Sequence, residues 1–398
     1  MRLTKTTGLI YFVLIFVINT EVLALNQKVD LSVPHKLEKS FLSLCHAGKF
    51  SGVALVAIKG EMVFRQACGQ ADRSFDVKNK INTKFNLGSV GKLFTSITIA
   101  QLIQEKKLSL NSSVYYLSRS WLPMENGNLI TITHLLTHTS GLGNFMDDNR
   151  WKLGADSGLF IQTNDYKPLI SEKKLLYKPG SSQSYSNSGY LLLGKVIEII
   201  SGQSYSQYVN KNVFNKAGMY DTGIYALDEV ITNRAVGYDY SCSKGECHWI
   251  NNYFSAPFIG TAAGGAFSTV DDLFKFSQFL IKQKLLDANI TQQILSSDVI
   301  KLNAKTYDKK LEIDNYSLDA TFTEHGFAGA WNIFGFAVWN DPLLLGHTGG
   351  TSGASAMFLM SPDNSYTIII LSNVSTGAIE LYKEIRHILN FHGEIKNL

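Results

Sequence analysis

Ser89 and Lys92 lie three residues apart, at the start of an apolar run that contains neither Gly nor Pro. Positions i and i+3 share one face of a helix, so the spacing predicts a hydroxyl beside an amine at a helix N-terminus. A nearby base and the positive end of a helix dipole can together activate a serine nucleophile. A capping serine beside a solvated lysine explains the same two residues, and S-x-x-K alone does not decide between these interpretations.

Two further motifs carry polar groups that are useful in acyl transfer. The first, Tyr185-Ser186-Asn187, precedes a strongly apolar helix and offers a phenol and a two-way amide. The second, His347-Thr348-Gly349-Gly350, ends a predicted strand. Its glycines would let a substrate approach the backbone, where an exposed N–H could stabilise an oxyanion. Taken alone, the first motif fits a loop with a capping asparagine, and the second fits a glycine turn.

His134 and His138 are four residues apart, as in helical metal sites, but no H-E-x-x-H sequence accompanies them. We therefore interpret Thr137–Gly141 as a structural loop and predict no metal site.

Other chemistries lack the residues that they require. Gly91-Lys92 is followed by Leu93, where a phosphate loop needs Ser or Thr. The stretch 350–353 is not the G-x-S-x-G of α/β-hydrolases, and no dinucleotide fingerprint follows a predicted strand. The net charge is only +4 over 398 residues, with dispersed Lys and Arg, so we predict no nucleic-acid partner. No cofactor is expected.

The periodicity predicts an α+β fold, in which an antiparallel sheet is flanked by N- and C-terminal helices and interrupted by a mainly helical domain. Residues 25–110 and 261–398 form the discontinuous sheet domain, and 111–260 the helical one, where strand signals thin out. Ser268 is the predicted N-cap of a helix that ends at 280, and 147–174 is polar and irregular. The other predicted elements are strands at 50–58, 62–69, 334–339, 343–347, 355–360 and 367–372, and helices at 34–47, 190–200, 205–215 and 378–389.

The N-terminus has the pattern of a signal peptide. Arg2 and Lys5 precede an apolar core of about 11 residues, shorter than the ~20 that a spanning helix needs. We predict that residues 1–24 are removed near Ala24, which leaves a periplasmic or secreted protein without a stable membrane anchor. A retained N-terminal anchor is the alternative.

Four cysteines could form two disulfides in an exported protein. Cys242 and Cys247, which bracket a short polar loop, are the favoured pair. A zinc site there is disfavoured because no second pair of ligands follows.

The order S-x-x-K, Tyr-x-Asn and His-Thr-Gly resembles that of the penicillin-recognising serine hydrolases. The Tyr-x-Asn form is similar to the branch that contains class C β-lactamases, D-alanyl-D-alanine carboxypeptidases and related esterases. Residues 130–142, 185–190, 263–269 and 346–353 also resemble this family. The resemblance runs from about residue 45 to about residue 375, and it implies a β-lactamase/transpeptidase-like fold.

The resemblance implies that Ser89 is the acylated nucleophile and that Lys92 and Tyr185 move its proton, with the division of labour between them left open. Asn187 would bind Lys92 or a substrate amide.

The resemblance also implies that the N–H groups of Ser89 and Gly350 form the oxyanion hole. His347, with Thr348 and Gly349, would line the substrate site. Class C β-lactamases usually carry Lys at the position of His347, and a largely neutral histidine would attract a substrate carboxylate less. We therefore expect a serine hydrolase that acts on a small-molecule or peptide ester or D-amino-acid amide. The alternatives are a β-lactamase and a penicillin-binding sensor without turnover.

Overall fold

The computed structural model describes residues 32–118, 121–122, 127–154, 159–243, 245–298, 331–340 and 343–391. The predicted signal peptide lies outside these ranges. Within them, no helix has the length and apolar character needed to cross a membrane.

A six-stranded antiparallel sheet is the centre of the fold, with strand order β2-β1-β12-β11-β10-β9. The first and last parts of the chain meet in its middle, where Gly52 pairs with Ser372 and Ile58 with Tyr366. The strands of this sheet are β1 (Gly52–Ile58), β2 (Glu61–Cys68), β9 (Ala337–Asn340), β10 (Leu343–Thr351), β11 (Ala354–Met360) and β12 (Tyr366–Ser372). The α+β prediction is confirmed.

Both faces of the sheet are covered, because side chains along a strand alternate between faces. On β1, Ala54 and Val56 pack with the two terminal helices, α1 (Ser32–His46) and α11 (Gly377–Ile388). Val53 and Leu55 face the other way, into the larger core. The remaining helices are α2 (Lys92–Gln104), α3 (Val114–Leu117), α4 (Ile132–Leu136), α5 (Asn149–Gly154), α6 (Lys167–Ser171), α7 (Asn187–Ser201), α8 (Tyr205–Val209), α9 (Val270–Ile281) and α10 (Ala288–Ile294).

The middle of the chain holds a hairpin that the sequence patterns did not predict. β6 (Tyr238–Ser243) pairs with β7 (Glu246–Asn251), and Cys242 opposes Cys247 across the pair. Two disulfides are present, Cys242–Cys247 as favoured and Cys45–Cys68. Two short ladders complete the described strands: β3 (Gln70–Asp72) pairs with β4 (Val77–Lys78), and β5 (Phe85–Asn86) pairs with β8 (Phe267–Ser268). The division into two domains stays a prediction.

Several predicted element ends were wrong. Ser268 belongs to β8, and the N-cap of α9 is Thr269, whose hydroxyl accepts from the Asp272 N–H at 3.2 Å. The helix predicted at 205–215 is α8 followed by one π-turn at Asn210–Phe214. β9 begins three residues late because the Asn332 side chain accepts the N–H groups of Phe334 and Phe336 and holds a turn there.

Candidate active site

Ser89 lies in a single 3-10 turn, Gly88–Gly91, and Lys92 is the first residue of α2. The sequence predicted a continuous helix over both residues. Residues 92–102 of α2 are all buried, so this helix runs through the interior of the protein, and Lys92 at its first position is buried with it. The Lys92 side chain is fully buried, and its Nζ lies 3.1 Å from Ser89 Oγ. The interpretation of Lys92 as a solvated side chain is therefore wrong.

Among the described residues, Lys92 Nζ hydrogen-bonds to Ser89 Oγ, to Asn187 Oδ1 at 2.6 Å and to the Ala263 carbonyl oxygen at 2.5 Å. These oxygens can all accept from a lysine side chain. Asn187 is held in turn by Asn144, whose Oδ1 accepts from Asn187 Nδ2 at 3.3 Å. Asn187 therefore binds Lys92, one of its two predicted roles.

Tyr185 reaches the same place from the loop before α7. Lys92 Nζ lies 4.8 Å from the centre of the Tyr185 ring, and the phenol oxygen is buried. A hydroxyl, an amine and a phenol thus meet in one crevice, although Tyr185 is far from Ser89 in the chain. Their catalytic roles stay predictions.

The edge of β10 closes one side of the crevice with backbone alone. A Cβ on Gly349 would overlap the Leu87 carbonyl oxygen and lie 2.8 Å from the Ser89 amide nitrogen. A Cβ on Gly88 would lie 2.7 Å from the Gly350 amide nitrogen. The turn that holds Ser89 therefore lies directly against β10 at the two amides that are expected to form the oxyanion hole. We call Gly88, Ser89, Gly349 and Gly350 the backbone wall.

The predicted His347-Thr348-Gly349-Gly350 motif lies inside β10, and not at its end. Thr348 pairs with Met357 of β11, and its carbonyl oxygen contacts His347 Nδ1. Burial first, and then the Lys92 charge, lower the pKa of His347 to about 3. His347 is therefore neutral near pH 7.

Rings from separate parts of the chain cluster around Tyr185 and His138. His138 lies 4.4 Å from Tyr185 and 4.8 Å from Trp331, measured between ring centres. Trp331 lies 5.2 Å from His347, and Tyr190 lies 5.2 Å from His138. We call these five rings, His138, Tyr185, Tyr190, Trp331 and His347, the aromatic wall.

Sequence reasoning did not single out His138, Asn144 and Trp331. The Thr137–Gly141 stretch was predicted to be a structural loop, and the structure places its His138 4.4 Å from Tyr185 between ring centres. His134 stays apart, because its Nδ1 accepts from the Thr131 N–H in a helix cap. Asn144 and Trp331 stand in no recognisable motif. The missed signal was the sequence position of His138 beside Ser140-Gly141, within one of the stretches that resemble the family.

Comparisons with known proteins agree with this geometry. The family model described as Beta-lactamase matches residues 37–390. One relative is a protein of Bacillus subtilis (strain 168) that is named as the penicillin-binding protein PbpX. It is 30% identical over 285 residues, which cover 71% of this chain and 66% of the relative. Penicillin-binding protein 4* of the same organism is 28% identical over 351 residues, 85% of this chain and 71% of the relative. The chain thus spans about two thirds of the length of these relatives.

Among solved structures, a penicillin-binding protein from Bacillus halodurans superimposes with a TM-score of 0.72 at 28% identity, covering 91% of this chain and 99% of that one. The hydrolase EstCE1 superimposes with a TM-score of 0.70 at 22% identity, covering 90% of this chain and 98% of that one, which shows a shared fold.

Proposed function

Because the chain belongs to the Beta-lactamase family, we propose that it is an exported serine hydrolase that forms an acyl-enzyme on Ser89. Its substrate is an ester or an amide. The observation that carries the proposal is the buried Lys92, whose Nζ lies 3.1 Å from Ser89 Oγ and 4.8 Å from the centre of the Tyr185 ring. Burying a charge is costly unless it is paired. A catalytic role therefore explains the buried Lys92 better than a purely structural role does.

The proposed reaction has two halves. Ser89 Oγ bonds to the substrate carbonyl carbon while its proton passes to the Lys92–Tyr185 pair, which accepts it either as an ammonium beside a phenolate or as a neutral amine beside a phenol. The N–H groups of Ser89 and Gly350 stabilise the negative oxygen. The bond to the leaving group then breaks, and the leaving group takes the proton. Water repeats the sequence on the acyl-enzyme and regenerates the serine.

The electrostatics favour esters and amides without a carboxylate near His347. The neutral His347 ring offers no positive charge to such a group, because its pKa is about 3. β-Lactams are the second candidate, since a lactam acylates the same kind of serine and the relatives of about 30% identity are named penicillin-binding proteins.

Export is part of the proposal, and two features support it. The N-terminal residues have a signal-peptide pattern, and both disulfides suit an oxidising compartment. N-terminal sequencing of the protein recovered outside the cytoplasm should start close after Ala24. Recovery only in the cytoplasm with Met1 retained would contradict export but would not bear on the proposed reaction at Ser89.

A substrate panel tests the activity. Purified protein is assayed with p-nitrophenyl esters, D-amino-acid amides, D-Ala-D-Ala peptides and nitrocefin, each against Ser89→Ala. We expect Ser89-dependent turnover that is fastest on an uncharged ester or amide. Ser365→Ala, in the turn between β11 and β12, is the matched control and should keep activity. Turnover that survives Ser89→Ala contradicts the proposal, and a burst without turnover on every substrate favours a sensor.

A further inference from the structure

His138 is a buried imidazole to which the proposed reaction gives no proton-transfer role. Its side chain is 1% exposed. The residue adopts a left-handed backbone conformation with φ +59°, which is uncommon for non-glycine residues, although His is among the types enriched there. A buried imidazole next to a candidate active site calls for a physical reason.

Three contacts of His138 fall on consecutive residues, with Tyr185 in the middle. The His138 carbonyl oxygen accepts from the Ser184 N–H at 2.9 Å. Its Nδ1 accepts from the Ser186 N–H at 3.1 Å. Its ring lies 4.4 Å from the Tyr185 ring at an angle of 32°. One residue thus holds the backbone on both sides of Tyr185 and one face of its ring.

The hydrogen bond from the Ser186 N–H requires a neutral His138 imidazole. Nδ1 can accept from the Ser186 N–H only while it carries no proton, so the ring proton is on Nε2. Burial, the Lys92 charge and His347 lower the pKa of His138 well below its usual value, in that order. The titratable groups around His138 in the described chain are Lys92 of α2, His347 of β10, and Tyr177, Tyr185 and Tyr190 around the loop before α7.

A purely structural role fits these observations less well. His138 Nε2 is buried and has no hydrogen-bond partner among the residues that the structure describes. A buried donor without an acceptor costs stability, so an apolar ring would fill the same space more favourably. The feature that an apolar ring cannot supply is the acceptor at Nδ1.

We propose that His138 is a positioning residue that fixes the Tyr185 phenol against Lys92, through its Nδ1 contact to Ser186 and its ring contact to Tyr185. The inference rests on the proposed function. It adds His138 as a residue that affects the acylation rate through Tyr185 without itself transferring a proton.

Two substitutions separate the parts of this proposal. His138→Ala removes the acceptor and the ring. His138→Asn keeps an acceptor atom at the same δ1 position and tolerates a left-handed backbone, but it lacks most of the ring. We expect the acylation rate constant to fall about 100-fold in His138→Ala, because small displacements of a catalytic group have effects of this size. His138→Asn should recover about tenfold of that loss, with KM within about twofold of the wild type in both variants.

The matched controls are His134→Ala and His134→Asn, four residues earlier at α4. His134→Ala removes a helix-cap contact whose acceptor His134→Asn keeps, so the first should lower the melting temperature more than the second. Neither should slow acylation of the active fraction, titrated with a fluorophosphonate. Wild-type acylation rates in both His138 variants, or a loss confined to KM or to the active fraction, would overturn the positioning role. If His138→Ala does not fold, His138→Asn decides the question alone: it should acylate about tenfold more slowly than the wild type. A wild-type protein without any Ser89-dependent turnover would instead reject the proposed function.

Discussion

The two walls of the crevice are built from different parts of the polypeptide. The backbone wall uses amides and α-carbons, and its contacts work because Gly349 has no side chain to separate β10 from the turn that holds Ser89. The aromatic wall uses rings from four separate chain segments, stacked at 4.4 to 6.2 Å between centres. Lys92 contacts both walls, since its Nζ lies 3.1 Å from Ser89 Oγ and 4.8 Å from the centre of the Tyr185 ring.

The two walls should therefore respond differently to substitutions. The backbone wall has no room for a methyl group on Gly88 or Gly349, so a change at either residue should alter the geometry of the proposed oxyanion hole. The aromatic wall keeps two imidazoles neutral by burial and by the Lys92 charge, so a change there should alter how stability depends on pH. The predictions below separate these effects.

Lys92→Met should have the largest effect, because it removes the group that contacts both walls. We expect fluorophosphonate labelling to slow by about three orders of magnitude, the range typical of lost general acid–base catalysis. Labelling kinetics are measured on folded protein, checked by circular dichroism. Lys383→Met, which removes a partly exposed lysine of α11 that pairs with Glu380, is the control and should label normally. A Lys92→Met rate within about tenfold of the wild type would contradict the role of Lys92.

Gly349→Ala tests the backbone wall. The added methyl would collide with the Leu87 carbonyl oxygen and displace β10 from the Ser89 amide. We expect a loss of about 100-fold or more in kcat on a p-nitrophenyl ester, as for loss of an oxyanion donor. Gly350→Ala is the matched comparison, because a Cβ there meets no atom within 4 Å and the amide N–H is kept. Its loss should be clearly smaller, and equal losses in the two variants would argue against the close approach.

His347→Asn tests the aromatic wall through stability. The folded-state pKa of His347 is about 3, below the unfolded value near 6.5, so the unfolded state binds more protons between these values. The wild type should therefore lose stability as the pH falls from about 6.5 towards about 3, by up to about 1.4 kcal/mol per pH unit from this residue. Urea unfolding at about pH 7 and about pH 4.5 should show a smaller loss in His347→Asn.

His387→Asn, which replaces an exposed histidine of α11, is the control for the pH experiment. It should lose as much stability on acidification as the wild type does. Parallel curves for the wild type and His347→Asn would show that burial does not keep His347 neutral.

The backbone wall was largely predictable, because its signals are local. The i, i+3 spacing of Ser89 and Lys92 and the paired glycines of β10 stand directly in the sequence. The alternating apolar pattern also located the strands of the main sheet to within a few residues. The pattern did not reveal that Gly349 and Gly350 lie within a strand, because glycine is unfavourable in strands and resembles a turn signal.

The aromatic wall was predictable only in part. Tyr185 was found through its motif, whereas the contacts of His138 and Trp331 depend on long-range packing that no spacing encodes. His138 also adopts a left-handed backbone conformation, which a sequence pattern does not encode. The hairpin β6–β7 was missed for a related reason, since its strands are mostly exposed and polar and lack the apolar alternation of a buried strand.

Peptide mapping after fluorophosphonate labelling tests the central claim most directly. The claim is that Ser89 is the nucleophile that Lys92 and Tyr185 activate. We predict one adduct per chain, on the peptide that contains Ser89, and no adduct in Ser89→Ala at a matched reagent concentration. A stoichiometric adduct on any other residue, or unchanged labelling of Ser89→Ala, would contradict the account.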